Sequence, residues 1–318
     1  MADRYATQNL NTTLTAFGAE TFRNLPGVAD ILAPVVSVPT TTGKYYVFNE
    51  TESARDDYDA IRAPKTESQE ISRSYTSATY SAQQYMLKEL VADEEYDNAD
   101  RAVIDPEQDA AGLIMSKIRL GREIRVCTLL MTSGNYGSNT AGATAIWNHA
   151  TAASVKIELD CDTAQLAVEK SCGQTPNTIV IPPHIAKAAK RDSTIRDLIK
   201  YTDPTLLVNG DLPPTLFGMR VVIPKMVKDS ADPGVSTASK GFAWADNSVA
   251  VLYIDPVNSK RSLSFCKTFR RPLGGQLDVA MYRYRNDDKH ANVVEGGIEE
   301  VLAVTASGAG YLITTAYT

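Results

Sequence analysis

Histidine is scarce in this sequence: His149, His184 and His290 are the only three in 318 residues. None stands in an HExxH or other metal-ligating spacing, which excludes a zinc site of that type. The four cysteines, Cys127, Cys161, Cys172 and Cys266, form no CxxC pair. Three of them fall on apolar positions of expected helices or strands, so they read as reduced, buried thiols of a chain made in a cytoplasm. A basic excess is missing too. Lys and Arg number 32 against 38 Asp and Glu, a formal charge of −6, which argues against a surface that seeks phosphate. No apolar run reaches the roughly 18–20 residues of a membrane span. The opening MADRYATQNLNTT lacks the apolar core of a secretory signal.

The usual catalytic motifs are absent as well. There is no GxSxG, no GxGxxG and no Walker A; Gly43-Lys44 is followed by Tyr45 and lacks the glycine five residues upstream. Asp160-Cys161-Asp162 is expected only to start a helix, where acidic side chains complement the dipole. Asp56-Asp57-Tyr58-Asp59 lacks the glycine and distal Glu of a calcium loop and reads as solvated charge. No catalytic group, cofactor or metal is expected.

What the chain does have is one long helix. Asp105 can cap it, Pro106 suits its first turn, and Ser133-Gly134 offers a stop. From 106 to 131 it would rise about 39 Å at roughly 1.5 Å per residue. Ala110, Leu113, Leu120, Ile124, Cys127 and Met131 form an apolar stripe, widened by Ile114, Ile118 and Leu129. Lys117, Arg119, Arg122, Glu123 and Arg125 are expected in water. A helix of this length suits the beam of an elongated body.

The hundred residues before it show no pattern able to form a core. Residues 1–34 carry few branched apolar side chains and read as an arm that needs a surface to lie on. PVVSVP (34–39) and KYYVF (44–48) are strand-like. NETESARDDYDAIRAPKTESQE (49–70) is charged nearly throughout, and ISRSYTSATYSAQQYMLKEL (71–90) returns to β-favouring Thr and Tyr. Together they read as a two-stranded ribbon with a polar tip. A lone ribbon is marginal in water, so another copy of the protein is expected to stabilise it.

After the helix comes a Gly/Ser/Asn linker (133–143), then α/β alternation. Ile157, Cys161, Ala164, Val168 and Cys172 make a helical stripe ended by Gly173. PNTIVIPP (176–183) is a short buried strand leading into the helix HIAKAAK (184–190), and Ser193 can cap another at 194–201. MRVVIPKMV (219–227) reads as one strand, and FAWADNSVAVLYID (242–255) returns to the core. The tail is β: RSLSFCKTFRR (261–271) and QLDVAMYRYRND (276–287) alternate with both faces partly polar, and 297–317 adds two strand-like runs.

This order of parts, with PNTIVIPPHIAKAAK (176–190), LFGMRVVIPKMV (216–227) and GFAWADNSVAVLY (241–253), resembles the major capsid proteins of tailed bacteriophages with the HK97-like fold. The resemblance spans nearly the whole chain. It implies an α+β fold with an N-terminal arm at 1–34, an extended β-hairpin loop at 35–88 and a peripheral domain at 89–146 holding the spine helix. An axial domain at 147–261, peripheral strands at 262–296 and C-terminal strands of the axial domain at 297–318 would complete it. It further implies hexamers and pentamers of an icosahedral shell enclosing double-stranded DNA, a separate scaffolding protein, a portal and room for a decoration protein. The chain would be a structural component of the virion, assembled in the host cytoplasm, and not an enzyme. Inter-subunit contacts are expected at the loop tip, from Arg55, Arg62 and Lys65 to acidic groups and from Asp56, Asp57 and Asp59 to basic ones. Some relatives weld their shells through Lys–Asn isopeptide bonds. Lys44, Lys65, Asn286 and Asn292 are present only as chance would supply them, so no such weld is expected. The rival readings are an encapsulin-like nanocompartment with protein cargo and an oligomeric cytoplasmic enzyme with a dimerisation hairpin.

Overall fold

The computed structural model describes residues 10–47, 61–68, 70, 76–98, 105–149, 155–202, 212–231, 237–257, 259–273 and 278–317. The first helix, α1 (Thr12–Asn24), is capped by the Asn11 side chain, which accepts from the backbone N–H groups of Thr13 and Leu14 at 3.1 Å each. A single turn, α2 (Ala29–Leu32), follows. Both lie on the long helix of the same chain. Leu14, Ala19 and Phe22 share a core with Ile114, Met115, Ile118, Met281 and Ile298. Ala29, Leu32 and Ala33 share another with Val126 and Leu130. The arm therefore finds its surface within its own subunit from residue 12 onward, through a few leucines and phenylalanines spaced among small residues.

Strand β1 (Val35–Ser37) leads into a hairpin of β2 (Thr42–Val47) and β3 (Thr76–Ser81), paired antiparallel from Thr42↔Ser81 to Val47↔Thr76. After Ala82 the chain continues as β4 (Gln83–Ala92) and a short α3 (Asp93–Asn98). The long helix α4 (Pro106–Met131) has Asp105 as its N-cap, accepting from the Glu107 N–H at 3.1 Å.

A five-stranded sheet is organised around one long strand near the C-terminus, β14 (Ala291–Val304). Residues 291–297 pair with β13 (Ala280–Asn286) and with β4, which must take opposite edges. Residues 299–304 pair with β12 (Cys266–Arg271), and Glu299 and Glu300 also pair with β4, so β12 shares the β13 edge. β1 adds parallel to β12. At the crossing with the helical layer a Cβ on Gly296 would stand 2.1 Å from Met281 Sδ, so any side chain there must displace the Met281 thioether.

The second sheet runs β5 (Thr140–Gly142), β15 (Gly310–Thr314), β11 (Val249–Leu252), β6 (Thr178–Val180), β8 (Met219–Val222) and β7 (Thr215–Leu216). Side chains alternate between its faces. Val249, Val251, Ile179 and Ile313 pack under α5 (Ile157–Cys172) and α6 (Pro183–Ala189). Ala250, Leu252, Val180 and Leu312 pack with Val126 and Leu130 of α4. The long helix is thus a beam under both sheets, its first half in one core and its last turns in another. Gly173, at φ 69°, ends α5 in the left-handed conformation that favours glycine.

Several local readings change. The stretch 219–227 is two strands, because Pro224 interrupts the ladder between β8 and β9 (Val227–Asp229), which pairs with β10 (Lys240–Phe242). Helix α7 (Ser193–Thr202) is capped by Asp192, not Ser193; Asp192 Oδ1 accepts from Thr194 N at 2.7 Å and Ile195 N at 3.2 Å. Asp160 does more than open α5: buried, it accepts from Thr144 N and Trp147 Nε1 at 3.0 Å each and holds the preceding loop. β12 has both faces partly polar, with Thr268 and Arg270 on one and Lys267 on the other, and both are nonetheless buried, because helices cover one side and the hairpin the other.

Candidate functional site

Two places carry the polar organisation of the molecule. The first is the hairpin. Its base is held by aromatic stacking: Tyr45 and Tyr80 each place a ring centroid 5.1 Å from that of Phe269 on β12, and Tyr80 is buried. Val36 and Val38 complete this small core. The register is fixed further by Ala82 N donating to Thr41 O at 2.8 Å. Both ends of the hairpin run into strands of the five-stranded sheet, β1 and β4, while among the described residues β2 and β3 pair only with each other.

Of the expected tip contacts, Arg55, Asp56, Asp57 and Asp59 lie outside the described residues. Arg62 and Lys65 are described, and both are exposed. Arg62 Nη1 donates to Thr66 O at 2.9 Å, and the Thr66 hydroxyl donates to Ala63 O at 2.7 Å, which closes a small turn. Lys65 takes φ 66° within it. The structure brings these two basic residues into one turn.

The second place was not anticipated. Arg119, Arg122 and Glu123, expected in water, are 3%, 0% and 0% exposed, while Leu113 is on the outside. They form a buried ionic network where the two cores of α4 meet. Asp30 of α2 pairs with both Arg119 and Arg122. Arg122 Nε lies 3.2 Å from Glu300 Oε2, and Glu300 also takes Arg125 at 2.8 Å and Arg270 at 2.7 Å. Arg270 reaches on to Asp278 at 3.3 Å. Glu123 accepts from Ala29 N at 2.7 Å and from Trp244 Nε1 at 3.2 Å. Four guanidiniums therefore face four carboxylates from α2, α4, β12, β14 and the loop before β13. Burial alone would raise the Glu300 carboxyl, but the Arg122 and Arg270 guanidiniums outweigh it and hold Glu300 below the ordinary range. Asp30 is also held low, by Arg122 and Arg119 against burial.

A signal for this network exists in the sequence. Ala111, Met115, Arg119, Arg122, Val126 and Leu130 follow one another at steps of three and four, so the arginines stand on the apolar stripe itself.

Chemically, this is an arrangement that fixes elements to one another. Its carboxylates are already committed to guanidiniums, an indole and a backbone amide. Burial pushes the thiols of Cys127, Cys161 and Cys266 up to about 12, so none is a thiolate at neutral pH.

No family model and no curated protein matches the chain. Among solved structures it is similar to a phage-related protein from Bordetella bronchiseptica RB50, at 20% identity over 98% of each chain with a TM-score of 0.68. It is similar to the capsid of cyanophage P-SCSP1u at 13% identity, covering 89% of this chain and 86% of that one, with a TM-score of 0.57. The virus-like particle from Pyrococcus furiosus matches at 9% identity, 95% and 97% coverage and a TM-score of 0.55. The chain has the HK97-like capsid fold. In this capsid fold, α4 runs beneath both sheets, and the ionic network ties the N-terminal helices to α4 and to β14.

Proposed function

We propose that the protein is a major capsid protein whose copies assemble as hexamers and pentamers of an icosahedral shell around double-stranded DNA. The observation that carries this reading is the likeness of about nine-tenths of the chain to capsid subunits. The physics is consistent with it. A hairpin whose described contacts lie at its base offers a strand edge to neighbours, and the sequence between its strands is rich in charge. Many weak contacts of that kind act together through high effective concentration once subunits are held side by side.

On this reading residues 1–34 form the arm and 35–88 the extended loop. Residues 89–146 and 262–296 build the peripheral domain, and 147–261 with 297–318 the axial domain. The tip residues Arg55, Asp56, Asp57, Asp59, Arg62 and Lys65 meet opposite charges on adjacent subunits. A scaffolding protein and a portal act in assembly, the role is structural, and the mature location is the virion. A second reading is a shell with protein cargo; the likeness to a virus-like particle supports a shell under either reading.

Electron microscopy of the purified assembly, with nuclease treatment and extraction of the contents, tests both. Closed shells with nuclease-protected DNA support the first reading. Closed shells that hold a protein and no DNA support the second. A small discrete oligomer overturns both.

A further inference from the structure

Helix α5 carries a face with no cover in the described structure. Leu159 and Leu166 are each 52% exposed and stand seven residues apart on one side, about 10.5 Å along the axis. Glu158, Asp162 and Glu169 flank them, all exposed; Glu169 also accepts the Thr175 hydroxyl at 2.8 Å, and Lys170 closes the helix. Two leucines bordered by three carboxylates are not a solvated face in the usual sense.

A complementary surface exists elsewhere in the same α/β unit. A cavity of about 230 Å³ opens between α6 and the segments around β7, β8 and β10. Its apolar lining includes Leu212, Ile223 and Phe242, and its rim is Lys187, Lys190 and Lys225. In a chain of net charge −6, three lysines around one apolar hollow are a local reversal of sign. Among the described residues neither Lys187 nor Lys225 has an ion-pair partner, and neither does Glu158 or Asp162.

We infer that these two surfaces are the halves of one interface between copies of this chain, the acidic leucine face of α5 in one subunit seating on the lysine-rimmed hollow of the next. The leucines supply apolar area to the hollow, and the carboxylates meet the lysines at the rim, the arrangement of apolar centre and charged border that protein interfaces use. The two patches share no residue. The contact is therefore heterologous, and repeated head to tail it closes into a ring when the rotation permits. This rests on the shell reading above and adds to it the surface by which axial units meet around a capsomer axis.

The test is a charge exchange in the full chain. Two one-sided variants, K187E/K225E and E158K/D162K, place like charges across the interface. Each is expected to lower the assembly affinity by about tenfold or more, since like charges at an interface are strongly unfavourable. The four-fold variant carrying both exchanges restores opposite charges with reversed polarity, and it is expected to assemble within a few-fold of wild type. All four positions are exposed, so each monomer keeps its fold by circular dichroism. Glu158 in the first turn of α5 and Lys187 in the last turn of α6 complement the helix dipoles, so each one-sided variant melts slightly lower, and the four-fold variant keeps both of those losses while regaining assembly. Sedimentation and electron microscopy read the result. A wild-type chain that stays monomeric at every concentration sinks the shell reading and this interface with it. Wild-type shells with one-sided variants that assemble equally well overturn the interface alone. So does a four-fold variant that fails to recover, or a loss confined to the lysine side, which would give the hollow to a different occupant.

Discussion

Arg122 and Glu300 lie 3.2 Å apart with their side chains 0% and 1% exposed, one on the long helix and the other on the longest strand. A pair taken out of water in this way returns its desolvation cost only if the surrounding lone pairs and protons are also satisfied. Here Arg125 and Arg270 complete Glu300, and Asp30 and Thr268 take the outer nitrogens of Arg122, while its Nε meets Glu300 as an ion pair without a hydrogen bond. Replacing one member leaves the others buried with unbalanced charge. R122M and E300Q are each expected to destabilise the folded monomer by about 3–5 kcal/mol. The double variant should lose less than the sum, because both remove the same interaction. Denaturant midpoints of the four proteins check this.

The same groups set an acid limit. Glu300 and Asp30 titrate below their ordinary values in the folded chain. A depressed carboxylate contributes stability that is fully present above its unfolded pKa, about 4, and is lost as pH falls through the folded value. Stability is therefore expected to be flat with respect to these groups above about pH 5 and to drop steeply below about pH 4. E300Q should have a shallower acid limb than wild type. Urea midpoints between pH 3 and 7 measure it; parallel limbs would remove Glu300 as a source.

The contrast between α4 and its partners shows what the sequence could reveal. Its ends were legible because the signals are local: Asp105 and Pro106 at the start, and Ser133-Gly134 just past Met131 at the end. The hairpin was legible in the same way, from β-favouring Thr and Tyr on either side of a polar tract. The buried charged face was not, because the reason to bury Arg119 and Arg122 lies in partners far along the chain; Arg125 and Glu300 are 175 residues apart. The arm was misjudged for a related cause. Gly18 and Ala19 contribute little apolar weight to a pattern, yet they permit the close approach that buries Phe22. The loop-tip residues were chosen for charge alone, and only Arg62 and Lys65 can be placed.

Lys267 gives an alkaline counterpart to the acid limb. It is 1% exposed, and its ammonium donates to the carbonyls of Ser259, at 2.8 Å, and Ser262. Burial pulls its pKa down to about 8. Between that value and the ordinary lysine range of about 10.4 the unfolded chain binds more protons than the folded one, so stability rises with pH in this window. The raised thiols of Cys127, Cys161 and Cys266 cost stability above about pH 8.5 in wild type and K267M alike, so the expectation is on the difference: wild type gains on K267M from about pH 7.5 to 9.5. Equal slopes for the two would assign the effect elsewhere.

The hairpin base makes a prediction about exposure to proteases. Tyr80 is sandwiched against Phe269, and Gly43 passes so close that a Cβ there would stand 2.6 Å from the Tyr80 hydroxyl oxygen. Y80A removes the anchor and G43V forces it aside. Truncating a buried aromatic costs about 3–5 kcal/mol, and here the loss falls on the attachment of the hairpin. Trypsin cleavage at Lys44 and Lys65 is expected to accelerate about tenfold or more in both variants, while the melting of the remaining core shifts little. Mass spectrometry of the first fragments reads the sites.

Arg62 offers the most direct test of the hairpin as an assembly element. Among the described residues it makes one hydrogen bond, to the Thr66 carbonyl, and it stands in an exposed turn with Lys65. A surface interaction of that kind contributes at most about 1 kcal/mol to the monomer, so R62E should leave the melting temperature of isolated subunits within about 2 °C of wild type. Across a shell the same reversal is repeated at every subunit. If the tip meets acidic groups of a neighbour, each contact turns from attractive to repulsive, and closed particles should fall about tenfold or more at equal protein concentration. The defect should ease at high salt, because screening weakens exposed like-charge contacts. Particle yield by sedimentation at low and at high salt separates this from a folding defect. Undiminished R62E shells at low salt would show that the tip charge plays no part in subunit contact.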